Sequence, residues 1–113
     1  MSETFFANID ALVGGTTVIV DRPKDSVHPR VPGAVYPVDY GYLDGTTGGD
    51  GDGVDVFRGS ASGTGVVGVF VTADPIKRDV EVKVLLDCTA AEIEQIRHLL
   101  DDVLEIGGLL VRR

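Results

Sequence analysis

Apolar and β-branched residues are gathered into short runs along the chain, and glycine, proline and aspartate separate these runs. This pattern is typical of short strands joined by turns. It predicts five strands, over residues 16–21, 34–43, 54–57, 65–72 and 80–87. Pro37 lies inside the second run and cannot donate a backbone hydrogen bond, so we expect that strand at a sheet edge or at a bend.

Two segments have the helical spacing of apolar residues instead. Residues 2–13 form the first, and Gly14 ends the pattern. The second begins at Thr89, which forms with Glu92 the sequence of a capping box. Its apolar residues recur on one face until Gly107 ends the helix.

These elements bound the architecture. A chain of 113 residues is long enough for one domain, which we place over residues 1–113. Short strands with Gly-rich turns predict a mainly β domain with some helix: a small five-stranded barrel with a short N-terminal helix and a C-terminal helix. The apolar tail over 109–111 is expected to add a strand or to dock on the core.

The charge of the chain limits its partners. Eighteen acidic and ten basic side chains give a net charge of -8. This balance disfavours binding to nucleic acid or to an anionic lipid surface. No apolar run reaches the length of a membrane span, and residues 1–4 have no basic start typical of a secretory signal. With a single cysteine, Cys88, which allows no internal disulfide, these features predict a cytoplasmic protein.

The candidate chemistry begins in a glycine-rich segment. Ten of the fifteen glycines lie between positions 41 and 68. Within that stretch Asp50, Asp52 and Asp55 are separated mainly by glycine, which lets the backbone turn tightly enough to bring their carboxylates together. Carboxylate oxygens suit Mg²⁺, Mn²⁺ or Ca²⁺ rather than zinc, but neither available register matches an EF-hand loop. A solvated turn is the alternative interpretation.

Tyrosines and further charged residues surround this segment in the sequence. Tyr36, Tyr40 and Tyr42 alternate on one predicted strand and share a face, either to pack in the core or to hold an oxyanion. A second acidic set follows at residues 74, 79 and 81. The basic residues of the proline-rich loop are Arg22, Lys24, His28 and Arg30.

Two of these motifs, in this order and spacing, resemble a known family. The run from Tyr36 to Tyr42 (YPVDYGY) and the run from Asp50 to Asp55 (DGDGVD) are similar to the signatures of the soluble, Mg-dependent inorganic pyrophosphatases (family I). In that family Asp-x-Asp-Pro-x-Asp follows Tyr-Pro-x-x-Tyr-Gly-Tyr. The resemblance extends over about residues 16–87. It implies an OB-like five-stranded β-barrel that hydrolyses pyrophosphate to two phosphates with several Mg²⁺ ions, Mn²⁺ being the alternative, and it suggests a homo-oligomer.

The resemblance also implies roles for the matching residues. Asp52 would take the proton of the attacking water, and Tyr40 would orient waters or a phosphate. The implied metal ligands are Asp21, Asp50, Asp55, Asp74 and Asp79. The expected substrate ligands are Arg22, Lys24, Arg30 and Tyr36.

The chain also departs from the family pattern. Gly53 replaces the signature proline, and the segment over 23–36 is too short to carry the family's Lys and Arg phosphate ligands. Glu81 stands where the family has a lysine, and Lys83 lies two residues on. Val103 and its neighbour replace a Tyr-Lys pair in the last helix. Two alternatives to pyrophosphate hydrolysis therefore stay open: a metal- or phosphoester-binding module without catalysis, and a hydrolase of another phosphoanhydride.

Overall fold

A six-stranded sheet forms the frame of the molecule in the computed structural model, which describes residues 2–113. Two helices complete this mixed α/β domain: α1 (Ser2–Gly14) and α2 (Ala90–Arg97), the latter continued by a π-helical segment (His98–Val103). The strands are β1 (Val18–Arg22), β2 (Asp39–Leu43), β3 (Val54–Arg58), β4 (Val66–Asp74), β5 (Asp79–Leu86) and β6 (Leu109–Arg112).

The sheet is open, with strand order β1-β2-β3-β5-β4-β6. Neighbouring strands are antiparallel, except that β3 and β5 are parallel. The predicted five-stranded OB-like β-barrel is therefore wrong in strand number and in closure. The apolar tail forms a sixth strand along the free edge of β4, and within the described residues no pairing joins the outer strands β1 and β6. A barrel needs that pairing because it has no edges.

Each face of the sheet has its own hydrophobic core. On one face, the core side chains from the sheet, among them Phe57, Phe70 and Leu85, belong to one cluster with the apolar residues of α2 and the π-helical segment. On the opposite face, Val56, Val69 and Val84 pack with α1. The separation follows from the period of two along each strand, which sends successive side chains to opposite faces.

Most predicted elements are present with shifted ends. The predicted strand over 34–43 is a strand only from Asp39 onward. Pro37, which has no backbone N–H to donate, precedes the hydrogen-bonded segment. Val35 makes only an isolated bridge with Val27. Of the two positions predicted from Pro37, the bend is confirmed at residues 37–38, whereas β2 is not an edge strand because it lies between β1 and β3. The capping box at Thr89 is confirmed. None of the described helices combines the length and apolar character needed to cross a membrane.

Candidate functional site

A cleft of about 900 Å³ opens on the sheet face that also packs against α2. Strands β1, β2, β3 and β5 contribute to its wall, together with the glycine-rich and proline-rich loops. Ten of the eleven predicted site residues line this cleft; Lys24 does not. These ten are Asp21, Arg22, Arg30, Tyr36, Tyr40, Asp50, Asp52, Asp55, Asp74 and Asp79.

Lys83 forms the floor of the cleft. Its Cα lies opposite that of Asp55 in the parallel pair of β3 and β5. The ammonium Nζ donates to the Tyr40 hydroxyl at 2.8 Å, to Glu81 Oε2 at 2.9 Å and to Asp55 Oδ2 at 3.0 Å. Only 7% of the side chain is exposed. Burial opposes the charge, but these three oxygen groups outweigh it and raise the pKa of Lys83 above its usual value, so the amine stays protonated.

The two carboxyl groups on this floor differ in proton affinity. Burial, together with a hydrogen bond to Glu81, raises the pKa of Asp55 to about 6. The same hydrogen bond and the Lys83 ammonium hold the pKa of Glu81 well below its usual range. Burial also raises the pKa of Tyr40, which keeps its hydroxyl neutral. The floor therefore combines one cation, one carboxylate and one carboxyl group that titrates near neutral pH.

The glycine-rich loop forms one rim of the cleft and exposes Asp50 and Asp52. The carboxylate of Asp50 accepts the backbone N–H of Asp52 at 3.0 Å, and Gly51 has a φ of 90°. This is the geometry of a tight turn closed by an aspartate side chain. The loop thus has the features of the solvated turn, and it still places both carboxylates at the cleft.

Asp74 is the last residue of β4 and Asp79 is the first residue of β5. The two residues flank the turn of the β4–β5 hairpin and are direct partners across it. Asp74 Oδ1 accepts the backbone N–H groups of Ile76 at 2.9 Å and Lys77 at 3.1 Å, so its carboxylate closes the turn. The Lys77 ammonium lies 3.5 Å from Asp79 and 3.3 Å from Glu81. Asp74 therefore has a structural role in this hairpin, and Asp79 faces a lysine.

Among the basic residues of the proline-rich loop, Arg22 contacts both Tyr36 and Tyr40. Its guanidinium donates to the Tyr36 hydroxyl and lies 5.5 Å and 5.9 Å from the ring centres of Tyr36 and Tyr40. Tyr36 is buried, which fits the core-packing interpretation for this residue.

Arg30 lines the cleft. The backbone N–H of Lys24 donates to Asp39, and Asp21 lies where the β1–β2 register shifts.

Three residues that line the cleft are not among the predicted site residues, although Glu81 belongs to the second acidic set: Lys77, Glu81 and Lys83. A signal for two of them was present in the sequence. On β5 the polar residues at 79, 81 and 83 alternate with valines at 80, 82 and 84. This alternation puts the three polar side chains on one face, opposite the apolar face.

The backbone at Gly53 lies close to the side chain of Tyr42. A Cβ atom at position 53 would lie 2.7 Å from Tyr42 Cδ2 and 3.2 Å from Tyr42 Cβ. The tyrosine ring therefore packs where a side chain at position 53 would begin.

The fit to a metal ion differs between floor and rim. Within residues 2–113, no three Asp, Glu, His or Cys side chains are grouped so that they could hold a metal ion. At the floor, Asp55 is already paired with Lys83. At the rim, Asp50 and Asp52 offer exposed carboxylate oxygens. Mg²⁺ commonly binds through one or two carboxylates together with substrate phosphates, so the rim fits an ion that arrives with a phosphate ligand.

Comparison with known proteins gives no independent support for a family. The chain matches no protein-family profile, no curated protein and no solved structure. The similarity to the soluble pyrophosphatases therefore stays a prediction from the two sequence motifs.

Proposed function

We propose that this protein hydrolyses a small phosphoanhydride in the cleft, with inorganic pyrophosphate as substrate and Mg²⁺ (or Mn²⁺) entering as its complex. One observation carries the proposal: residues predicted from separate parts of the sequence line a single cleft of about 900 Å³. That volume is ample for a small phosphate compound. The free, buried thiol of Cys88 is compatible with a reducing cytoplasm, where we place the reaction.

The cleft has to accept an anion although it contains several carboxylates. Arg22 and Arg30 bring positive charge from one side, and Lys77 brings it from the β4–β5 hairpin. Asp50 would hold the divalent ion together with the substrate phosphates, which leaves the Asp52 carboxylate free to accept a proton. When bound, that ion would neutralise phosphate oxygens and lower the pKa of a water molecule.

In the proposed reaction, a water oxygen forms a bond to one phosphorus and the bridging P–O bond breaks. Asp52 takes one proton of that water, the other stays on the attacking oxygen, and the proton on Asp52 then passes through solvent to the leaving phosphate. The turn closed by Asp50 fixes the backbone of Asp52 at the rim. The Tyr40 hydroxyl is held by Lys83 and is the candidate for orienting a phosphate.

The test is phosphate release from pyrophosphate by the purified full chain, with and without MgCl₂ or MnCl₂. Asp52→Asn should lower turnover by about 10²-fold or more, since a general base contributes about that much. Asp44→Asn is the matched control, because Asp44 is an exposed aspartate of the same loop that does not line the cleft. No metal-dependent release by folded wild-type protein, or full activity in Asp52→Asn, would refute the proposal.

The pairing of Asp55 with Lys83 favours a second candidate, a phosphoester-binding module without catalysis. Because the Asp55 carboxylate is bound to Lys83, fewer carboxylate oxygens in the cleft are free to activate water. Calorimetry with Mg²⁺–pyrophosphate separates the two functions, because binding without phosphate release supports the module. The same release assay with a nucleoside triphosphate tests hydrolysis of another phosphoanhydride.

The homo-oligomer stays a proposal as well. Leu109 and Val111 on β6 are exposed, and β6 is an edge strand. Light scattering at micromolar concentration measures the mass directly, and a monomer mass would contradict the oligomer.

A further inference from the structure

The environment of the Lys83 ammonium is that of a bound cation. Two carboxyl oxygens and one phenolic oxygen surround Nζ at 2.8–3.0 Å, and the side chain is almost completely buried. Oxygen atoms of this kind are also the ligands that hard divalent cations prefer. The floor of the cleft is therefore a cation position that is filled by the chain itself.

We propose that Lys83 is a built-in cation, which occupies the position where Asp55 and Glu81 would otherwise bind a divalent metal ion. A divalent ion and an ammonium a few ångströms apart repel each other strongly in a partly buried site. The two cations therefore exclude each other at this position. Divalent ions are then left to the parts of the cleft that lie outside this floor.

The backbone fixes this arrangement. The parallel register of β3 and β5 puts Lys83 directly opposite Asp55. The alternation along β5 puts Glu81 on the same face as Lys83, and the Glu81 carboxylate accepts a hydrogen bond from the Lys83 ammonium at 2.9 Å. Tyr40, which comes from β2, completes the set. Three neighbouring strands thus supply the oxygen atoms around the ammonium.

The experiment measures how many Mn²⁺ ions bind to the full chain when no phosphate compound is present. The free Mn²⁺ is quantified by its electron paramagnetic resonance signal, and the bound Mn²⁺ is the difference from the total. Lys83→Met removes the charge and keeps much of the side-chain volume. We expect it to bind one Mn²⁺ at least about ten-fold more tightly than wild type does. The double variant Lys83→Met/Asp55→Asn should lose that gain.

Arg112→Met is the control for a mere change in net charge. Arg112 is exposed and does not line the cleft. We expect Arg112→Met to bind Mn²⁺ as wild type does. Equal Mn²⁺ affinity in folded Lys83→Met and wild type would overturn the proposal, and so would an equal gain in Arg112→Met.

A second comparison keeps Lys83 in place. It tests the proposal even if Lys83→Met does not fold. Asp55→Asn should leave the Mn²⁺ binding of wild type unchanged, since Asp55 does not hold a metal ion while Lys83 is present. Reduced Mn²⁺ binding in Asp55→Asn would overturn the proposal. No substrate is involved, so these results are independent of the hydrolysis assay.

Discussion

Lys83 on β5 and Asp55 on β3 are direct partners across the parallel strand pair, and their charged groups lie 3.0 Å apart. A surface salt bridge adds little to stability, but this pair is largely shielded from water. Each group depends on the other to remain charged inside the cleft. Any change at either position therefore affects the folding stability as well as the chemistry of the cleft.

We expect Lys83→Met to lower the free energy of unfolding by about 3 kcal/mol or more, because it leaves Asp55 and Glu81 without their cation. Lys77→Met should cost less than about 1 kcal/mol, since the Lys77 side chain is 56% exposed and Glu81 keeps its bond to Lys83. Urea unfolding at pH 7 measures both. Similar losses for the two variants would contradict the assignment of Lys83 as the central cation.

The pH dependence of folding stability should reveal the titration of the Asp55 carboxyl group. Its pKa is raised from 3.8 to about 6 in the folded protein, so the folded state binds a proton that the unfolded chain has already released. The contribution of Asp55 is therefore present at low pH and is lost as pH rises through 6. Glu81, whose folded pKa is depressed, is largely ionised in both states above pH 5 and contributes little in this window.

Between pH 5 and pH 7, wild type should lose about 1 kcal/mol of stability relative to Asp55→Asn. Unfolding free energies of both proteins at pH 5, 6 and 7 check the difference. A carbon-13 NMR titration of the Asp55 carboxyl should give a midpoint near 6. Parallel pH profiles for the two proteins would show that Asp55 does not carry this proton.

Gly41→Ala should disrupt the β1–β2 pairing that brings Arg22 to the cleft. A Cβ at position 41 would lie 1.8 Å from the backbone oxygen of Ile19, which cannot move without breaking the strand pair. We expect a loss of about 2–4 kcal/mol. Gly49→Ala is the matched control, because nothing lies within 4 Å of its Cβ position, and its thermal midpoint should change little.

Arg22→Met tests the anion-binding side of the cleft. If Arg22 contacts a phosphate, its loss should weaken binding of Mg²⁺–pyrophosphate by about ten-fold, as measured by calorimetry. Arg112→Met removes an exposed arginine that does not line the cleft and should leave the affinity unchanged. Equal affinities for Arg22→Met and wild type would remove Arg22 from the proposed phosphate ligands.

The local elements of this protein follow from the sequence. The capping box at Thr89 is present as predicted, because its hydrogen bonds join residues only three positions apart. The strands β4 and β5 are also where their apolar pattern puts them. The turn at Asp50 needs only local groups, an aspartate side chain and glycine. Local preferences of this kind do not depend on distant parts of the chain.

Tertiary structure alone decided the pairing of the strands and the floor of the cleft. The apolar tail joins β4 as β6, so the sheet stays open where a barrel was predicted. Lys83 meets Asp55, 28 positions away, only because β3 and β5 are parallel neighbours. Strand order depends on how two faces of the sheet are covered by helices, which is a property of the whole chain. The alternation on β5 assigned Lys83 to a face, and only the fold supplied the carboxylates that surround it.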